Sequence, residues 1–374
     1  MSLRVVVDAR ELLGKPTGVG RYLRELLTRW AASPYAADAE CLLVTPREPT
    51  DVVPLRAGSG ASMTWHLVPG AGGTWWEQGA LASEINRLGA DVMFAPAYSM
   101  PLRVRTPAVL AMHDVSFAAH PGWFTLREGV RRRLLSRWSA QKASAIVTLT
   151  RFSAGEIVTR LGVRGGRIHV IPLAVDYAQP ALAGPVPAAR PTTTGVLFVG
   201  SIFERRHLPL LIEGVALARH DVPGLTLDVI GENRTRPFQD LEADARRLGL
   251  EGAVQLRGYV SDGELADAYR RNAIFAFLSE YEGFGLPPLE AMQAGLATVV
   301  LDTAVAREVY GDGALYVPPG NAPALARLLV RLATDTAFRE TAIARGRTVA
   351  GSYRWDETAA RTWAVLEAAA RGPR

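Results

Sequence analysis

SEYEGFGLPPLEAMQAG, Ser279 to Gly295, follows the apolar run Ala273 to Leu278, and its reading decides how the rest of the chain is organised. The apolar run suits a buried parallel strand, so Glu280 to Pro287 fall at its carboxyl end, where open α/β sheets bind their ligands. Pro287 and Pro288 fit the first positions of a helix and Gly295 the residue just past its last turn. This predicts a short helix over Pro288 to Ala294 with Glu290 in the first turn. The amides of Phe284, Gly285 and Leu286 are then unpaired and face outward, and the glycines at 283 and 285 let the main chain come close to a ligand. Such a turn favours anionic or hydroxyl-rich groups, with Glu282 and Glu290 as acceptors on its loop and helix. In the plainer alternative Glu290 complements the helix dipole and Glu282 is solvated.

Working outward, 374 residues are more than one core usually takes, and two domains are the expected count. An apolar content of 48% and unperiodic Gly and Pro indicate a globular, enzyme-sized chain. Cys41 stands alone, so no disulfide within the chain and no cysteine-based metal site is available, as in a reducing compartment. No apolar stretch follows a basic leader and no run reaches transmembrane length, so a soluble, cytoplasmic protein is expected. Of the forty-two basic residues all but Lys15 and Lys142 are arginine, and neither lysine follows a core strand, which argues against Schiff-base and pyridoxal-phosphate chemistry. The net charge of +5 suits anionic ligands or an acidic membrane surface. No zinc module or RNA-binding signature points to nucleic acid.

In the first half, strands are predicted at Leu3–Asp8, Cys41–Thr45, Ser62–Val68, Asp91–Ala95, Ala108–His113, Ala145–Leu149 and Ile168–Ile171. A loop containing Gly14, Pro16 and Thr17 leads to a helix from Gly18 to Trp30. Gly18-Val19-Gly20 opens this helix, and a lone G-x-G of this kind can simply permit helix entry. It is not a dinucleotide fingerprint, because the third glycine position is Leu23 and the loop is too long. The helix Thr74 to Leu88 opens on Trp75-Trp76-Glu77, a pair that either stacks on a sugar or packs in the core, with core packing the more usual. His113 ends a strand, well placed to donate to a hydroxyl or phosphoryl oxygen unless it is a satisfied structural histidine. Leu126 to Lys142 is a basic amphipathic helix that carries Arg127, Arg131, Arg132, Arg133 and Arg137 beside Val130, Leu134, Leu135 and Trp138. It reads as a solvated face or as a surface for anionic lipid.

The segment 177–194 is rich in Ala, Pro and Thr and reads as a linker. The second half restarts with the strand Gly195–Gly200, then Arg205, Arg206 and a helix from Leu208 to Arg219, where adjacent arginines beside a helix start make a natural diphosphate clamp. Strands follow at Leu225–Ile230, Val254–Leu256 and Thr298–Leu301, with helices at Phe238–Leu248, Glu264–Asn272, Leu325–Ala333, Phe338–Ala350 and Trp355–Arg371.

The spacing of Glu282 and Glu290 in E-G-F-G-L-P-P-L-E resembles the signature of family 4 retaining glycosyltransferases. That resemblance implies an α/β, GT-B fold: two Rossmann-like, doubly wound domains facing a central cleft. It implies an acceptor-side domain over 1–176, a nucleotide-sugar domain over 195–354 and a last helix, within 355–374, that crosses back to the first domain. By the same resemblance Glu282 lies near the donor sugar, Glu290 binds the ribose, and His113 lies near the transferred sugar. Arg205 and Arg206 neutralise the diphosphate, although Arg206 stands where the family has lysine, so a planar fork replaces a point charge. Gly18, Gly20, Gly200, Phe284, Gly285 and Leu286 complete the donor-binding set, and the main chain of Tyr259 and Val260 reads the base.

Val305 to Tyr310 and Leu315 to Asn321 are similar to the family's closing strand and turn. Leu173-Ala174-Val175-Asp176 departs from the family's N-G-V-D element. The D-A-R and G-V-G-R-Y pattern looks most like bacterial mannosyltransferases that use GDP-mannose. The implied reaction moves a hexose from a nucleotide diphosphate to the hydroxyl of a glycan or lipid-linked acceptor, with retention, no metal and no resident cofactor, and with peripheral membrane contact through Leu126 to Trp138. The competing classes are an NAD-type oxidoreductase, which lacks a full glycine fingerprint here, and a non-catalytic nucleotide-binding protein.

Overall fold

The structure is a computed structural model and describes residues 2–14, 18–49, 59–175 and 195–372. Lys15, Pro16 and Thr17 of the first loop, Asp176, and the whole segment read as a linker lie outside these residues. Two compact units are present, one formed by Met1–Leu173 with Trp355–Arg374 and the other by Ala174–Arg354.

In the first unit the strands are β1 (Arg4–Asp8), β2 (Glu40–Thr45), β3 (Ser62–Leu67), β4 (Val92–Ala95), β5 (Ala108–Ala111), β6 (Ala145–Thr148) and β7 (Ile168–Val170). They form one parallel sheet in the order β3-β2-β1-β4-β5-β6-β7. Its central strands are contiguous apolar runs because helices cover both faces: Val5, Val6 and Val7 are fully buried. The helix Trp355–Ala370 completes this unit. Its Ala359 carbonyl accepts from Trp30 Nε1 at 3.1 Å, Trp363 packs edge-on against Trp30, and Thr358 Oγ1 donates to Pro172 O at 2.8 Å.

The second unit holds β8 (Gly195–Val199), β9 (Thr226–Ile230), β10 (Val254–Arg257), β11 (Ile274–Phe277), β12 (Ala297–Leu301) and β13 (Leu315–Val317), again all parallel, in the order β10-β9-β8-β11-β12-β13. In both sheets the chain reverses its direction of winding between two particular strands, β1 and β4 in one, β8 and β11 in the other. The carboxyl ends flanking such a reversal are where doubly wound sheets leave a crevice for ligands.

Several boundaries differ from the sequence reading, and capping explains most of them. The helix expected over Phe238–Leu248 is Leu241–Arg247, capped by the Asp240 carboxylate on the Ala243 amide, and Phe238 is exposed. The helix expected from Glu264 starts at Asp262, because Ser261 and Glu264 form a capping box. Ala304–Tyr310, read as part of the closing strand, is a helix capped by Thr303. Within Thr74–Leu88 the turn Glu77–Leu81 is a π-helical insertion.

Candidate active site

In the second unit β8 runs into Gly200 (φ +138°) and Ser201, and a short 3-10 turn, Glu204–Arg206, leads to the helix Leu208–Ala218. A Cβ on Gly200 would lie 2.5 Å from Arg206 Nη1, and one on Gly231 would lie 2.0 Å from the Gly200 carbonyl oxygen. Only glycines let the ends of β8 and β9 approach this closely with an arginine folded over them. Arg206 Nη1 donates to Ser201 O at 2.7 Å. Its Nη2 and Nε donate to Glu282 Oε1 at 3.0 and 3.3 Å. The guanidinium lies 4.8 Å over the Phe277 ring of β11, so Arg206 ties the carboxyl ends of β8 and β11 together across the reversal.

Glu282 is fixed from its own loop as well, since Ser279 Oγ donates to the same Oε1 at 2.9 Å. The two loops are further joined by the Glu280 amide, which donates to Arg205 O at 3.0 Å, and by His207 Nε2 with Glu280 Oε2 at 3.0 Å. Arg205 turns aside, its guanidinium 4.2 Å from the Phe203 ring centre. The two arginines of the expected clamp are therefore placed differently: Arg206 is paired with Glu282, and the Arg205 guanidinium lies against an aromatic face.

The helix after this loop is Leu286–Gln293, starting two residues earlier than expected, with Gly285 at φ +87° as its N-cap. Prolines 287 and 288 are accommodated because none of the first four amides of a helix has a partner to lose. Glu290 consequently stands in the second turn, which corrects the helix-dipole alternative. It is the one residue from Pro288 to Gln293 that is not buried. The Phe284 side chain is buried against Tyr353, so only its main chain is available to a ligand. Tyr310 Oη donates to Gly285 O at 2.9 Å and Phe284 O at 3.2 Å. Tyr259, in the loop after β10, is 89% exposed and Val260 partly so.

In the first unit Gly18 and Gly20 lie in the first turn of the helix Gly18–Ala32, Gly18 exposed and Gly20 buried. His113, just past β5, is buried, with Nε2 2.8 Å from the Pro96 carbonyl and Tyr22 and Tyr98 packed edge-on against the ring. A carbonyl can only accept, so Nε2 carries the proton. Burial lowers the pKa of this histidine, the Pro96 carbonyl and Asp114 opposing. A neutral ring with Nε2–H engaged offers Nδ1 as an acceptor, which corrects the expectation of a donor to a hydroxyl or phosphoryl oxygen. Tyr98 Oη donates to Asp114 Oδ2 at 3.2 Å, and Tyr98 itself sits at φ +54°.

Sequence reasoning missed a charged network at the same sheet end. Arg10 bridges the buried Asp8 and Glu77 at 2.7 and 2.6 Å, and Ser99 Oγ donates to Glu77 at 3.0 Å. Burial opposes the charge on Arg10, yet the two carboxylates hold its pKa above the ordinary value. The D-A-R stretch and Glu77 were visible, but nothing in the sequence joins them. The tryptophan pair splits: Trp76 is buried, donating to Val68 O at 2.8 Å, while Trp75 is 92% exposed. Tyr310 and Ser279 lay in stretches the sequence singled out, but nothing in it assigned their hydroxyls to Gly285 and Glu282. Among the described residues no three His, Cys, Asp or Glu side chains gather as a metal site.

Residues 186–349 match the family described as Glycosyl transferases group 1, and residues 16–179 match Glycosyltransferase Family 4. The chain is 28% identical over 282 residues to O-antigen chain mannosyltransferase B of Escherichia coli, covering 72% of each chain. It is 33% identical over 177 residues to GDP-mannose:cellobiosyl-diphosphopolyprenol alpha-mannosyltransferase of Komagataeibacter xylinus, covering 46% of this chain and 44% of that one. Among solved structures, Anabaena HepE in complex with UDP and glucose superposes with a TM-score of 0.70 at 17% identity, covering 98% of this chain and 100% of the other, a likeness of fold.

Proposed function

We propose, for a chain that belongs to the family 4, group 1 glycosyltransferases and has the GT-B fold, that the reaction is transfer of mannose from GDP-mannose to a hydroxyl of a glycan or lipid-linked acceptor, with retention at the anomeric carbon. The mannosyltransferase relatives support the sugar, and the GDP-mannose in the name of one of them supports the base. The observation that carries the reading is the Arg206–Glu282 contact across the ends of β8 and β11. It sets a cationic fork and a carboxylate side by side where a nucleotide sugar presents its phosphate next to its sugar.

In this reading the C1–O bond breaks with its electron pair going to the diphosphate. Arg205, Arg206 and the amides of Gly285 and Leu286 stabilise that charge. The acceptor hydroxyl attacks C1 on the face the phosphate leaves, and its proton passes to the departing phosphate oxygen. Glu282 orients the sugar, Glu290 takes the ribose, the main chain at Tyr259 and Val260 meets the base, and His113 Nδ1 accepts from a sugar hydroxyl. Gly200 leaves room for the Arg206 guanidinium, and Gly18 and Gly20 let the main chain approach a ligand. No resident metal or cofactor is invoked.

Leu126, Val130, Leu134 and Trp138 form an exposed apolar stripe along Leu126–Lys142, flanked by Arg127, Arg131 and Arg137. This stripe supports peripheral contact with an anionic membrane, at its inner face in a cytoplasmic enzyme. No helix among the described residues is long and apolar enough to cross a membrane.

The test is a thermal-shift panel of GDP-, UDP- and ADP-sugars followed by a transfer assay. GDP-mannose should raise the melting temperature most, and Glu282→Ala should abolish transfer. A larger shift with a UDP- or ADP-sugar would replace the donor, and normal turnover by the variant would remove Glu282 from the site.

A further inference from the structure

Arg206 makes more contacts within the protein than a residue reserved for phosphate needs. Its guanidinium has five N–H groups, and three of them already serve Ser201 O and Glu282 Oε1. The group lies between those acceptors, 4.8 Å over the Phe277 ring and in the space that Gly200 leaves open. Arg206 and Glu282 are mostly withdrawn from solvent, at 11% and 20% side-chain exposure, so their contact is not a loose surface pair. All three hydrogen bonds to the Glu282 carboxylate, two from Arg206 and one from Ser279, fall on Oε1. Oε2 is thereby aimed by a rigid frame, with its own acceptor capacity unspent on those donors.

We infer that Arg206 is a positioning residue for Glu282: it holds the carboxylate so that Oε2 receives a donor-sugar hydroxyl, while its two remaining N–H groups face the diphosphate. The inference rests on the proposed function, since it needs a nucleotide sugar as ligand. It makes the grip on the leaving group and the grip on the sugar one coupled unit. A lysine at this position would keep the charge but not the fork. A tetrahedral ammonium cannot serve Ser201 O and Glu282 Oε1 side by side in the plane of the Phe277 face and also reach a phosphate.

The experiment is a double-mutant cycle by calorimetric titration of GDP and GDP-mannose (or of the diphosphate and sugar form that wins the panel) into the full chain, Arg206→Lys, Glu282→Ala and the double variant. Melting temperatures serve as a folding check. Wild type should bind the sugar form at least several-fold more tightly than the free diphosphate. Arg206→Lys should leave diphosphate affinity within about threefold, since the charge remains, yet lose the preference for the sugar form as completely as Glu282→Ala does. The double variant should be no worse than either single one, as expected for residues that act as a unit. If Arg206→Lys weakens free diphosphate tenfold or more and keeps the sugar preference, Arg206 serves the diphosphate alone without positioning Glu282, and the inference fails. Additive effects overturn it equally. A wild-type chain that binds none of the sugars overturns the proposed function, and the inference with it.

Discussion

The Tyr310 hydroxyl donates to the main-chain carbonyls of Gly285 and Phe284, at 2.9 and 3.2 Å, from a helix twenty-five residues further along the chain. In a trans peptide the N–H points opposite to the C=O, so a phenol that holds these two carbonyls turns the amides of Gly285 and Leu286 the other way. Burial, and then the nearby charge of Glu282, keep the Tyr310 phenol well above its ordinary pKa, so it stays a donor throughout the working pH range. Tyr310→Phe should lose roughly 1 kcal/mol, or about fivefold, in affinity for a nucleoside diphosphate. It should leave affinity for the nucleoside alone unchanged. Equal losses for both ligands, measured by titration, would mean that the hydroxyl does not aim the amides.

Gly285 admits no side chain for two separate reasons: its φ of +87° disfavours L-residues, and a Cβ there would lie 2.0 Å from Tyr310 Oη. Gly285→Ala should be destabilised by about 1–3 kcal/mol and lose transfer activity. A melting temperature and turnover equal to wild type would show that the turn adapts.

Arg10 bridges two carboxylates that are 4% and 3% exposed, Asp8 and Glu77. Arg10→Met should therefore cost about 3–5 kcal/mol at neutral pH, because two buried charges lose their partner. Urea titration at neutral pH measures this loss, and a loss below about 1 kcal/mol would mean that other groups satisfy the two carboxylates.

His113 is held neutral by burial, so its folded pKa lies below the ordinary 6.5. The unfolded chain then takes up the proton first. Stability is complete above 6.5 and declines as pH falls from there toward the folded pKa. The difference in melting temperature between wild type and His113→Gln should be constant at neutral pH and change in wild type's disfavour below that value. A difference that stays flat through mildly acidic pH would mean that the ring takes up its proton equally in the folded and unfolded chain, so that burial does not hold it neutral.

The exposed stripe of Leu126–Lys142 predicts that the chain co-sediments with phosphatidylglycerol vesicles and not with phosphatidylcholine vesicles, less so at high salt. Leu134→Ser with Trp138→Ser should abolish this without changing turnover of a soluble acceptor. Concentration-dependent dimerisation in place of vesicle binding would reassign the stripe to a second copy of the chain.

Much of this was legible in the residues. Parallel strands buried on both faces must be short apolar runs, which is why Val5-Val6-Val7 and Ile274–Phe277 could be placed within a residue or so. Helix ends were less legible where a side chain decides them: Asp240 and Ser261 each cap a helix whose start the apolar pattern alone put elsewhere. Glu282, Arg206 and Gly285 could be named as candidate site residues from their local setting. Tyr310 could not, because a buried aromatic reads as core until its hydroxyl is seen to find a carbonyl.

By itself the amino-acid order determined the alternation of strand and helix, the two successive α/β blocks, and the turn from Glu282 to Leu286, because hydrophobic period, proline and glycine act over a few neighbouring residues. Only the tertiary structure decided that β8 lies beside β11, which brings Arg206 onto a carboxylate seventy-six residues away and turns two separate charges into one pair. Strand order follows from how helices pack over a twisted sheet, and no local pattern records it.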